Sequence, residues 1–143
     1  MLDELRDRIA AYFSTHWVCI VSTQGVASAS AVPARYRLAP GTAGKQALQV
    51  DCLLPRWADI TYHLERNPGL LLIIPDLQGD GLRWLQVQGT ARPISVPDWA
   101  EQLFEGKSNG QLEHRYLAMR VTPQRIDLVD EGQGWGISET LDM

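Results

Sequence analysis

The chain has 143 residues, 45% of them hydrophobic and 21% charged, with a net charge of −4 at neutral pH. That length and apolar content suit one packed domain over residues 1–143 and exclude global disorder. The acidic balance, with no basic run longer than a residue or two, excludes a nucleic-acid footprint, and no apolar run approaches the roughly 18 residues that span a bilayer.

The N-terminal MLDELRDRIAAYF lacks the unbroken apolar core of a secretion signal, so the chain reads as cytoplasmic. Residues 2–13 read as a helix: Leu2, Leu5, Ile9 and Tyr12/Phe13 share a stripe, and Asp3 and Glu4 suit its first turn. WVCIVS, 17–22, reads as a strand, followed by a turn at Thr23-Gln24-Gly25. Residues 26–38 are an extended, small-residue segment with Pro33 at a bulge or edge, and Pro40 to Lys45 is a loop. In 46–52, Leu48, Val50 and Cys52 alternate with Gln49 and Asp51. Pro55 opens a helix carrying Trp57, Ile60 and Leu64 on one stripe, and Asn67-Pro68 ends it.

GLLLII, 69–74, is apolar throughout, the pattern of a strand buried on both sides. The strand over 82–91 is different. It sets Trp84, Gln86 and Gln88 on one face and Leu85 and Val87 on the other, so its polar-aromatic face lines a ligand, a partner subunit or both. A short helix fits 98–105, capped near Ser95 and ended by Gly106. Residues 114–122 alternate again, Leu117, Met119 and Val121 against Tyr116, Ala118 and Arg120, and 124–129 turn Ile126 and Leu128 inward before a Gly-rich tail. Six or seven strands with three short helices point to a mainly β, closed or partly closed barrel rather than repeated βαβ units.

Cys19 and Cys52 lie in apolar runs and read as buried free thiols, and His16, His63 and His114 are too dispersed for a metal site. No GxSxG, HExxH, GxGxxG or Walker motif occurs. Polar and aromatic residues on strand faces suit an organic cofactor that brings its own reactivity.

In order, the chain presents an N-terminal helix, CIVSTQGVASASAVPARYR, a strand and Pro-started helix ending in LERNP, then RWLQVQGTAR and MRVTPQRIDLVDEGQGWG. Over residues 4–137 this resembles the pyridoxamine-phosphate-oxidase-like, FMN-binding split-barrel proteins. The resemblance implies a six-stranded antiparallel split barrel and a homodimer with two FMN molecules in clefts between the subunits. By position it implies that Arg35 and Arg56 approach the FMN phosphate, where a guanidinium fork and a helix N-terminus would both serve. Asp51 and Cys52 fall where the family contacts the isoalloxazine ring, and Trp84 and Gln86 fall on the flavin-facing strand. Trp135 either reaches the partner's site or anchors packing.

The sequence also departs from the family. Leu54-Pro55-Arg56-Trp57-Ala58-Asp59 lacks the helix-start lysine, and Asp59 would repel a phosphate. The lysine after Arg35 and the C-terminal arginine and histidine pattern of the true oxidases are missing, so vitamin B6 oxidation is not expected. Two readings follow: a flavin-dependent oxidoreductase passing hydride between a nicotinamide or small organic substrate and FMN, or a non-enzymatic split-barrel dimer with a degenerate or non-FMN site.

Overall fold

The computed structural model describes residues 2–23, 30–39, 48–77, 81–103 and 109–143. Helix α1, Leu2–Thr15, buries Leu5, Ile9, Tyr12 and Phe13 along one stripe. Strands β1 (Val18–Thr23), β2 (Ala31–Leu38) and β3 (Val50–Pro55) precede α2 (Asp59–Arg66). Next come β4 (Gly69–Asp76), β5 (Arg83–Ile94), α3 (Asp98–Leu103), α4 (Asn109–Arg115), β6 (Tyr116–Asp130) and β7 (Ser138–Asp142).

The strands pair antiparallel in the order β3-β2-β1-β4-β5-β6, and β3 pairs with β6 to close a six-stranded barrel. β7 adds to β6 outside this ring. The long β6 serves two partners along one edge: Tyr116–Val121 pairs with β3, and Arg125–Val129 pairs with β7. The β5–β6 register shifts between these two halves, with Gly89 opposite Pro123 and Gln88 opposite Arg125. A bulge tolerates a proline that cannot donate to the ladder. Gly89 is required there, because a Cβ would stand 2.4 Å from the Thr122 carbonyl oxygen.

The barrel interior is filled by alternate side chains, among them Cys19, Val21, Tyr36, Cys52, Leu72, Val87, Met119 and Ile126. α1 packs against this core. The Tyr12 hydroxyl donates to the Ile74 carbonyl and the Tyr36 hydroxyl to the Phe13 carbonyl, so both phenols are satisfied while buried. A second, smaller cluster lies outside the barrel, where Val96, Ala100 and Leu112 of the α3–α4 segment cover Leu53 and Ala118 of β3 and β6.

Several boundaries differ from those read in the sequence. β3 runs on to Pro55, which pairs with Tyr116. Its carbonyl accepts from Ala58 N and Thr61 Oγ1, closing a turn, so α2 begins at Asp59 rather than at Pro55. The two strands expected over 114–122 and 124–129 are one 15-residue strand, and positions 114 and 115 belong to α4. Among the described residues the tail supplies the seventh strand, and the α-helices number four. β4 is not buried on both sides: Leu70, Leu72 and Ile74 are buried, whereas Leu71 and Ile73 are only half-buried. The turn at 24–25, the loop at 40–45 and the helix end at Gly106 lie outside the described residues.

Candidate functional site

The six candidate residues fall in three environments. Cys52 faces the interior and is fully buried, where burial and, secondarily, the nearby Asp51 carboxylate push its thiol up to about 12. Burial also raises Cys19, with Cys52 adding to the shift. Both thiols are therefore protonated near neutral pH and unsuited to nucleophilic work.

Arg35 and Asp51 are on the outer face of β2 and β3, where Arg35 is opposite Leu53 and Asp51 opposite Arg37. Arg35 is exposed, and Val18 of β1 flanks it on the other side. Asp51 is not the solvated strand end that its position suggests. It is fully buried and takes two bonds from Arg120 on β6, Nε to Oδ1 at 2.8 Å and Nη2 to Oδ2 at 3.0 Å. That side-chain hydrogen bond is also the main cause of the rise in the Arg120 pKa. Arg120 carried a signal in the sequence, since it sits on the polar side of an alternating strand, but its partner lies 69 positions away. Beside this pair, Arg37 stacks over the Trp99 ring at 5.3 Å.

Trp84 and Gln86 lie farther round the same outer face. Gln86 belongs to a cross-strand row running Pro33, Ile20, Ile73, Gln86, Asp127, Thr140. Trp84 sits in the next row, between Pro75 and Val129. This face changes character across the sheet. Its β1 side exposes Val18 and Ile20, with Trp17 beside them. Its β6–β7 side carries Asp127, which accepts from Thr140 Oγ1 at 2.5 Å and Arg125 Nε at 3.2 Å. Asp127 was missed in the sequence because Ile126 and Leu128 define the inward phase and leave it as an ordinary outward position. Along β6, the partner of Asp51 (Arg120) and the partner of Gln86 (Asp127) are seven residues apart, roughly 20 Å of strand. One copy of the chain thus does not bring Asp51 and Gln86 together.

Arg56 follows a third course. It sits in the turn before α2, with its backbone N–H on the Arg115 carbonyl and its Nε on the Glu113 carbonyl at 2.5 Å. The side chain is thereby tied to α4. Between α2 and the start of β2 is a cleft of about 470 Å³ lined by Ala31, Val32, Trp57, Ala58 and Asp59. Asp59 is the only charged residue lining it among the described residues, and the α2 N-cap, Ala58, makes no side-chain cap. A carboxylate in the first turn already offsets the positive end of the helix, so this end does not fit a phosphate. The open face, by contrast, fits a planar ring: Trp84 offers an indole, Gln86 an amide, and Ile73 and Val18 an apolar floor.

Trp135 is not a packing anchor within its own chain, for it is 93% exposed between Gly134 (φ 142°) and Gly136 (φ 77°). Among the described residues no group of His, Cys, Asp and Glu could hold a metal ion, and no helix is long and apolar enough to cross a membrane.

No family model matches the sequence, and no curated protein matches it. Solved structures do match. A Clostridium acetobutylicum protein related to general stress protein 26, of the pyridoxinephosphate oxidase family, is 14% identical with a TM-score of 0.68, over 99% of this chain and 94% of its own. General stress protein 26 from Bacillus anthracis is 12% identical with a TM-score of 0.65, over 97% and 98%. An FAD-binding protein from Mesorhizobium loti is 11% identical with a TM-score of 0.61, over 86% and 92%. The chain has the split-barrel fold of the pyridoxamine 5'-phosphate oxidase-like, FMN-binding proteins. At these identities the likeness is one of fold.

Proposed function

We propose that the protein binds a flavin, FMN in the first instance, between two copies of itself and serves as an oxidoreductase. The observation that carries this reading is the partition of the site. Asp51 lies on the β2–β3 surface, about 20 Å along the sheet from Gln86, whereas Arg35 flanks Val18 at the margin of the open, partly apolar face that carries Trp84 and Gln86. A ligand touching both Asp51 and Gln86 needs the open face of a second copy, and exposed apolar surface of this kind is what an interface covers.

In this reading Trp84 stacks on or edges the ring, Gln86 meets its carbonyl or nitrogen atoms, and Ile73 and Val18 keep water from it. Arg35 serves the anionic end. The flavin, when bound, supplies hydride transfer with a nicotinamide or small organic substrate. Cys52 has no side-chain role, because its thiol points into the core. The uncapped, Asp59-bearing start of α2 favours one alternative, a non-enzymatic dimer that holds a flavin or another planar ligand without turnover.

The test is spectroscopic. Purified protein should retain flavin absorbance through gel filtration or gain thermal stability with added FMN, and Trp84→Ala should weaken flavin binding about tenfold. Colourless protein with no FMN-dependent rise in Tm overturns the reading. Flavin that binds but is never reduced by any nicotinamide or small organic donor leaves the non-enzymatic alternative.

A further inference from the structure

Outside the barrel, where the C-terminal end of β5 runs past α4, a cleft of about 660 Å³ is lined by Arg56, Arg92, Ser95, Glu113 and Tyr116. Two arginines line it, and neither has a carboxylate partner among the described residues. Arg92 stands directly opposite Arg120 in the β5–β6 ladder. Like charges placed opposite one another destabilise a sheet. Here Asp51 neutralises Arg120 through its two bonds, so Arg92 retains an uncompensated charge. Arg56 is held in place at its Nε by the Glu113 carbonyl, which leaves its two Nη nitrogens available to a ligand. Among the described residues Glu113 is the only carboxylate lining the cleft, and its side chain pairs with neither arginine.

We propose that this cleft binds a phosphate-type oxyanion through Arg56 and Arg92, with Ser95 Oγ as a further donor. Two guanidinium forks from separate segments match a tetrahedral anion with three free oxygens better than a carboxylate, whose two oxygens a single fork satisfies. The cleft beside α2 offers the opposite chemistry, Asp59 and no cation among its described residues. This site is independent of the flavin reading. It takes the phosphate of a bound flavin or that of a separate phosphorylated ligand.

The experiment titrates inorganic phosphate into the full-length protein by calorimetry at constant ionic strength, with chloride as the reference anion. Saturable binding is expected, weakened about tenfold by Arg92→Gln and partly restored by Arg92→Lys, which keeps the charge but loses the fork. Arg66→Gln removes the same charge from α2, where Arg66 stacks on Tyr62 4.2 Å away, and should leave binding unchanged. Arg56→Gln is the second arm. Should it lose the fold with its Glu113 anchor, Arg92, whose side chain makes no hydrogen bond or ion pair with described residues, still decides the matter. No saturable phosphate binding, or binding indifferent to Arg92→Gln, overturns the proposal. Comparing FMN with riboflavin then identifies the source. A preference for FMN that Arg92→Gln abolishes assigns the cleft to the flavin phosphate. A preference that survives while inorganic phosphate binding is lost assigns it to a separate ligand. Phosphate binding without any flavin binding sustains the cleft and overturns the flavin reading.

Discussion

Two outer surfaces of one barrel differ in how completely the chain finishes them. Over β3 and the first half of β6, the α3–α4 segment covers Leu53 and Ala118, and Arg120 neutralises buried Asp51. Over β1, β4 and β5, Ile20, Ile73 and Trp84 lie at the surface or half-buried. The covered surface has its energetics settled within one chain, so damage there appears as lost stability. The open surface leaves apolar area in water, so damage there appears as lost association or binding.

The largest effect is expected on the covered surface. Arg120→Met leaves the Asp51 carboxylate buried without a counter-charge and should cost about 3–5 kcal/mol in urea denaturation. Adding Asp51→Leu should recover most of that loss, because an apolar pair of similar volume avoids the desolvation penalty. If Arg120→Met alone costs under about 1 kcal/mol, the ion pair is not what finishes this surface.

Alkaline pH tests the interior that lies beneath both surfaces. Cys52 is raised from 9.0 to about 12 by burial first and Asp51 second, and Tyr12 is raised from 10.0 to about 12, also chiefly by burial. Both groups keep their proton longer when folded. Between pH 9 and 12 the unfolded chain therefore binds fewer protons than the native one, and stability falls as pH rises. For Cys52 the loss by pH 11 is about 2–3 kcal/mol, absent below pH 8. Cys52→Ala should flatten that limb in pH-dependent denaturation. An unchanged limb would place the loss on other groups.

The inward phase of β5 and β6 was legible in the sequence, because alternation is local and Leu85, Val87, Met119 and Ile126 are inside as read. The polar-aromatic face of β5 was legible for the same reason. Asp51 was not, since its environment depends on Arg120, 69 residues away, and on which strand pairs with which. The placement of Arg56 was hidden for a related reason: Pro55 looks like a helix opener, yet its cross-strand pairing with Tyr116 keeps it in β3 and sends Arg56 toward α4. The continuity of β6 was hidden by Pro123, which breaks most strands but sits here at a bulge opposite Gly89.

On the open surface the fold should be nearly indifferent to charge while assembly is not. Ile73 is half-buried between Ile20 and Gln86. In the proposed dimer, Ile73→Lys buries an unpaired ammonium and should shift the protein to monomer at micromolar concentration by light scattering, with fold stability changed by about 0.5 kcal/mol or less. A dimer that persists in Ile73→Lys moves the contact off this surface.

The smallest effect on the fold belongs to Trp135. The chain projects an indole into solvent at 93% exposure, flanked by two glycines at φ 142° and 77°, where side chains fit poorly. Replacing such a residue removes almost no buried area, so Trp135→Ala should leave urea stability within about 0.5 kcal/mol of the parent. An isolated chain gains nothing from holding a large aromatic side chain in water, whereas a second copy that covered it would bury an anchor of the kind that dominates interfaces. Trp135→Ala should therefore weaken dimerisation or flavin retention severalfold while the monomer melts as before. If stability, assembly and flavin binding are all unchanged, the open surface closes without its tail, and the contacts that matter lie in the β1–β4–β5 rows alone.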